Sequence, residues 1–333
     1  MAAEQPPLFD DLAVARAVQP AALPPAVQAL AQRLHERFAG RLFLGTSSWH
    51  FPGWAGQVWA RAEPAARLSR DGLAAYARHP LLRSVSLDRA FYRALDTATA
   101  QRLAQQAGAG FRFVVKAPAL VSDAMQRSAS NGAALAPNPH FLDPQLALQQ
   151  AARPLAEGFG EALGVWVLQL SPLPRAWLTD VPALLQRLAA FYEVVRSGLP
   201  ASALLALELR DAALLTPALA ALLKRHGLRY CLGLHDRLPP IDDQLPLLRA
   251  TWPGDLVCRW NLQRGQRYAQ ARDAWAPFDR LQAPDLPTRQ ALARVAHGTL
   301  RAGHRAFITI NNKAEGSAPA SVLALAEAID ALG

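Results

Sequence analysis

Ala203-Leu204-Leu205-Ala206-Leu207-Glu208-Leu209-Arg210-Asp211 is an uninterrupted apolar run that breaks abruptly into two opposite charges. A strand this apolar is buried on both faces, as in a parallel sheet covered by helices. Its side chains alternate with a period of two, so Glu208 and Arg210 point to one side at its C-terminal end. The same pattern recurs in Leu42 to Thr46, Arg83 to Asp88, Phe111 to Lys116, Gly164 to Leu170, Leu228 to Leu234, Asp255 to Arg259 and Arg305 to Ile310. The intervals carry helical spacing over Pro25 to Phe38, Leu68 to Arg78, 97–107, 144–163, 180–196, 217–226, 287–302 and 318–331. Eight buried strands separated by helices predict an α/β chain folded as a (β/α)8 TIM barrel rather than an open doubly wound sheet. The turn after the first strand, Leu44-Gly45-Thr46-Ser47-Ser48, lacks the G-x-G-x-x-G dinucleotide fingerprint, and no Walker-type phosphate loop occurs.

A chain of 333 residues suits one such barrel over 26–333, preceded by an irregular arm rich in Pro and Ala over 1–25. The stretch 118–144 is too long for an ordinary connection and reads as an excursion or lid over the C-terminal face. The formal charge of +9 is compatible with acidic ligands or nucleic acid. Lysine, however, occurs only at 116, 224 and 313 amid abundant Arg, Ala, Leu and Pro. Much of the excess is therefore compositional bias, and no run of five or six basic residues marks a nucleic-acid tail. Cys231 and Cys258 each sit in an apolar run, which predicts reduced, buried residues of a cytoplasmic protein. The sequence starts without a signal-peptide pattern and has no apolar window of membrane-spanning length, so no membrane partner is expected.

In a barrel, Asp88, Lys116, Gln169, Glu208, Arg210, Asp236, Arg259 and Asn311 gather at the rim where barrel enzymes keep their sites. Buried cations require carboxylates or bound anions. Glu208 is therefore expected to bond Arg210, Arg259 or Lys116, with Asp88 as a second partner. Three cations outnumber the acids that can reach them all, which predicts residual positive charge for a phosphate or carboxylate. Closure of the ring by Asp88, Glu208 and Asp236 is the alternative. In the loop after the first strand, Trp49, Phe51, Trp54 and Trp59 either stack on a ligand or bury themselves beneath the loop. Acids and histidines lack tight ligand spacing, so neither metal nor cofactor is expected.

These residues also carry a family resemblance. Gly45-Thr46-Ser47-Ser48-Trp49 with Trp54, Phe91-Tyr92, Phe111-x-Phe113-x-x-Lys116, Glu208-x-Arg210, the seventh-strand Arg259 and Asn311-Asn312 resemble the motifs of the YecE-like family, domain of unknown function 72. Leu168-Gln169-Leu170-Ser171-Pro172 resembles a further motif in part. The resemblance spans about 42–330 and implies a TIM barrel of no established activity, with Tyr92 and Asn312 added to the site. The chain departs from the pattern at Ser86, where the family has an acid, with Asp88 gained instead. It departs again at Asn261, where the family has a histidine, and at Leu214, near a family tryptophan. It is identified as a divergent member.

The favoured expectation is an enzyme, a hydrolase or isomerase, acting on a small anionic or polyhydroxylated substrate at the C-terminal mouth. Glu208 or Asp88 would serve as base, while Lys116, Arg210 and Arg259 stabilise negative charge and Trp49 or Trp54 stack on the substrate. Tyr92, Gln169, Asp236, Asn311 and Asn312 complete the expected binding set. A nucleic-acid or nucleotide-binding protein without catalysis, and a degenerate structural or partner-binding barrel, are the alternatives.

Overall fold

Every one of the eight apolar runs forms a parallel strand in the computed structural model, which describes residues 17–128, 130 and 132–333. They are β1 (Leu42–Thr46), β2 (Ser84–Leu87), β3 (Arg112–Lys116), β6 (Leu163–Gln169), β7 (Leu204–Glu208), β8 (Arg229–Leu234), β9 (Leu256–Trp260) and β10 (Ala306–Ile310). They pair in chain order and close, β10 against β1, into a barrel. Between β3 and β6 the chain adds an antiparallel hairpin, β4 (Met125–Arg127) and β5 (Ala134–Pro137).

The alternation within each strand divides the apolar residues into two groups. Phe43, Val114, Val165, Val167, Ala206, Cys231, Val257 and Phe307 fill the barrel interior. Their neighbours, among them Leu44, Trp166, Leu207, Leu232 and Ile308, face the surrounding helices. Two residues beyond an interior residue of the same strand stand Lys116, Gln169, Glu208 and Arg259, so strand period alone aims them inward at the C-terminal end. Small residues make room for them. Arg259 is flanked in register by Gly233 and Thr309, and a Cβ on Gly233 would lie 2.8 Å from Leu238 Cδ1 and 3.9 Å from Glu208 Cγ. Gly45 permits an equally close approach of β1 to β2, since a Cβ there would fall 2.0 Å from the Ser84 carbonyl oxygen.

The helices depart from expectation mainly at proline and glycine. The helix expected over Leu68 to Arg78 divides into Ala65–Asp71 and Leu73–Tyr76 around Gly72. The one expected over 144–163 contains a wide π turn at Leu148–Ala152. Pro154 has no N–H to give the carbonyl four residues back, so the ladder widens there. Ile241–Ala250, with Pro246 inside it, and Tyr268–Trp275 are additional helices. Of the expected N-terminal arm, 1–16 lie outside the described residues. The next few run along the loop after β1, with Ala21 N donating to Val58 O at 2.9 Å and Ala60 N to Gln19 O at 3.0 Å. The helix Pro25–Arg37 follows and is tied to the last helix, Ala318–Asp330, by Arg33 and Arg37 on Asp330. Among the described residues no helix is long and apolar enough to cross a membrane.

Candidate functional site

At the C-terminal end of the barrel the inward-facing polar residues form one connected network. Glu208, fully buried, accepts from Arg259 Nη1 at 2.5 Å and from Asn261 Nδ2 at 3.0 Å, and pairs with Arg210 Nη1 at 2.6 Å. The other arm of Arg259 donates from Nη2 to Asp88 Oδ1 at 2.5 Å, and Ser86 Oγ donates to the same oxygen at 2.7 Å. Gln169 Oε1 accepts from Arg210 Nη2 at 2.9 Å and Arg259 Nη1 at 3.4 Å. Removing one member of such a buried ion pair typically costs about 3–5 kcal/mol, because the other charge is left without compensation.

Burial alone would raise the Glu208 pKa, but Arg210, Arg259 and Lys116 more than reverse this and hold it near about 2. Arg259 is likewise disfavoured as a cation by burial and restored by Asp88 and Glu208, so its proton is held more tightly than usual. Both are fixed charges at neutral pH. Lys116 is different: burial pulls its pKa down to about 8, Asp88 and Glu208 oppose the fall, and Arg259 and Arg210 add to it. Its Nζ lies 4.2 Å over the Phe91 ring. Among the described residues, the ion pairs of Asp88 and Glu208 run to arginines, and no carboxylate reaches ion-pair distance of Lys116.

Lys116 opens onto a cavity of about 870 Å³ that Tyr92, Gln169, Ser171 and Phe91 share with the β4–β5 hairpin. A smaller cavity of about 460 Å³ lies between the helices Ile241–Ala250 and Leu286–Arg301, away from the network. The mouth cavity combines ample volume with convergent polar groups and a perturbed titrating residue, the usual marks of a binding site.

Of the residues expected from sequence, Asp88, Lys116, Gln169, Glu208, Arg210 and Arg259 are brought together, and exposed Tyr92 borders the cavity. Several expected roles are corrected. Trp49 and Trp54 are buried and offer no face for stacking, with Trp49 Nε1 donating to Leu68 O at 2.9 Å and Trp54 Nε1 to Asn312 Oδ1 at 3.1 Å. Their large rings pack beneath the loop instead. Asn312 Oδ1 also accepts from Ala318 N at 2.8 Å, which makes it a brace for the start of the last helix. Asn311 Oδ1 accepts from Lys313 N at 3.0 Å. Asp236 is outside the network, paired with His235 on the loop after β8. The forks of Arg259 and Arg210 are taken up by protein oxygens and are not free for a substrate. Glu208, expected as a candidate base, is enclosed, and its carboxylate does not reach solvent.

Ser86 and Asn261 are members of the network that sequence reasoning treated only as departures, although Ser86 shares strand parity with Asp88. Lys313, buried with Nζ 4.2 Å over the Tyr268 ring, is a second lysine whose pKa burial lowers to about 8. Among the described residues no group of three or more His, Cys, Asp or Glu is disposed to hold a metal ion.

The fold is similar to that of solved proteins of low sequence identity. A DUF72 family protein from Enterococcus faecalis V583 matches with a TM-score of 0.58 at 17% identity, covering 87% of this chain and 95% of the other. A DUF72 family protein from Thermotoga maritima MSB8 matches with a TM-score of 0.57 at 18% identity, covering 87% and 99%. No curated protein matched the chain. The family model described as "Protein of unknown function DUF72" matches residues 43–332, and the chain belongs to that family of uncharacterised TIM-barrel proteins.

Proposed function

We propose that the barrel mouth is the site of an enzyme acting on a small anionic substrate, whose phosphate or carboxylate is drawn to Lys116. The carrying observation is charge: Lys116, Arg210 and Arg259 face two acids, Asp88 and Glu208, and among the described residues Lys116 is the cation of the three left without a carboxylate partner, beside the cavity. An uncompensated charge in a concave site attracts its opposite more strongly than a surface lysine does. Asp88, about a third exposed where Glu208 is enclosed, is the carboxylate assigned in this reading as the base. Tyr92 and Gln169 flank the bound molecule, and hydrolysis and isomerisation both suit this set.

The test is phosphate titration by calorimetry and thermal shift on wild type and Lys116→Met. A 1 mM site should add roughly 1.4 kcal/mol at about 10 mM phosphate, with the gain absent from the variant. Binding should weaken as pH rises through about 8, where the ammonium is lost. Equal stabilisation of both proteins, or none of either, overturns the reading.

A further inference from the structure

We propose that Lys116 is a nucleophile whose ε-amine forms an imine with the carbonyl carbon of a small aldehyde or ketone that also carries a carboxylate or phosphate. This rests on the reading of the mouth as an anion site and adds the reacting group.

Three observations carry it. Nζ stands at the inner end of β3, with its stem enclosed and its head on the 870 Å³ cavity beside Phe91. The ring's purely neutralising cations, Arg210 and Arg259, are forked and pinned by Glu208, Asp88 and Gln169, whereas among the described residues Lys116 has no such partner. Finally, lysine fills only three of 35 basic positions, and the one at 116 belongs to a ring whose other cations are arginines that cannot deprotonate. A pKa of about 8 supports the geometry, giving about 300-fold more free amine at pH 7 than an ordinary lysine. Desolvation beside other cations is an established way to activate a lysine.

The step balances. The Nζ lone pair attacks the carbonyl carbon, the C–N bond forms, and the C=O π pair moves to oxygen, which takes a proton to give a carbinolamine. The hydroxyl then leaves with a further proton as water, and a protonated imine remains. Ammonium plus carbonyl thus becomes iminium plus water, with one positive charge on each side. The charge that holds the substrate's anionic group therefore persists. The protons are exchanged with solvent at the cavity, since Asp88 is held on Arg259 and Ser86. Glu208 and Arg259 remain ionised throughout.

Glyoxylate, an aldehyde bearing a carboxylate, is the probe, with sodium cyanoborohydride to reduce the imine to a stable carboxymethyl adduct. Full-length protein is treated at pH 7 and the adduct located by peptide mass spectrometry. At least tenfold more adduct is expected on Lys116 than on exposed Lys224, with slower labelling by propanal, which lacks the carboxylate. Lys116→Arg should lose that adduct while retaining stabilisation by phosphate. No adduct on Lys116, or labelling spread evenly over Lys116, Lys224, Lys313 and the N-terminal amine, overturns the proposal. Phosphate binding without a Lys116 adduct overturns the imine and leaves the anion site standing. A Lys116 adduct without phosphate binding upholds the nucleophile and overturns the anion reading. The location of the adduct in wild type decides the matter even if the arginine variant does not fold.

Discussion

Replacing Lys116 by methionine should make the protein more stable, and by an amount that depends on pH. The lysine's pKa falls from 10.5 to about 8 on folding, and each unit is worth about 1.4 kcal/mol. The buried ammonium therefore costs about 3 kcal/mol at any pH below 8. Between pH 8 and 10.5 the unfolded chain holds the proton that the folded protein has released, so the wild type gains stability as pH rises. Methionine has a similar length, no charge and a favourable contact with the Phe91 ring. The variant should thus exceed wild type by about 3 kcal/mol at pH 6–7, roughly 5 °C in melting temperature, and the difference should vanish near pH 10.5. Thermal and urea unfolding of both proteins across pH 6–10.5 measures this. A methionine variant no more stable at pH 6.5, or an advantage independent of pH, would refute a buried, uncompensated ammonium.

Glu208→Gln leaves Arg210 and Arg259 with one acid fewer and should lower stability by about 3 kcal/mol or more at neutral pH. An unchanged melting temperature would be incompatible with the network. Because the carboxyl's pKa drops from 4.5 to about 2 on folding, its contribution is full above pH 4.5 and lost as pH falls towards 2. Acid unfolding of wild type should therefore be steeper over that window than that of the variant. Ser86→Ala removes a 2.7 Å hydrogen bond to Asp88 at a cost of about 1 kcal/mol. It frees that carboxylate to turn towards Lys116. The pH midpoint for acylation of Lys116 should then rise above about 8, and a midpoint that stays or falls contradicts the pinning of Asp88 by Ser86.

The barrel was legible because its information is local. An apolar run with a polar end fixes a buried parallel strand, and the period of two fixes which of its residues face inward. Glu208, Arg259, Lys116 and Gln169 follow from that rule, and the Glu208 pairing with both arginines follows from the cost of burying charge. What escaped depends on competition in three dimensions. Trp49 and Trp54 carried both readings in sequence, and only the space beneath the loop decides for burial. Pro246 reads as a helix breaker, yet it lies within Ile241–Ala250. Asn312 entered the expected site through the family motif alone, whereas its side-chain carbonyl serves the Trp54 indole and the start of the last helix. Which cation stays unpaired was likewise beyond a charge count, which gives the excess without its owner.

The owner is decided by shape. Asp88 follows β2, whose residues Ser86 and Leu87 lie level with Val114 and Val115 of β3. Continuing that register puts Asp88 beside Lys116, on the neighbouring strand. Its carboxylate nevertheless bonds Arg259, which arrives from across the mouth between Gly233 and Thr309. A guanidinium can serve Glu208 with one nitrogen and Asp88 with the other in a single rigid plane, whereas an ammonium is a point charge that serves whichever acid comes to it. Ser86 adds a donor to the same Asp88 oxygen and helps fix it in that direction. Asn261 donates to Glu208 without adding charge, so the count of three cations and two acids is unchanged. Ser86 and Asn261 thus help to hold both acids on the arginines. The lysine is left facing the cavity with the charge, or the lone pair, that a substrate can use.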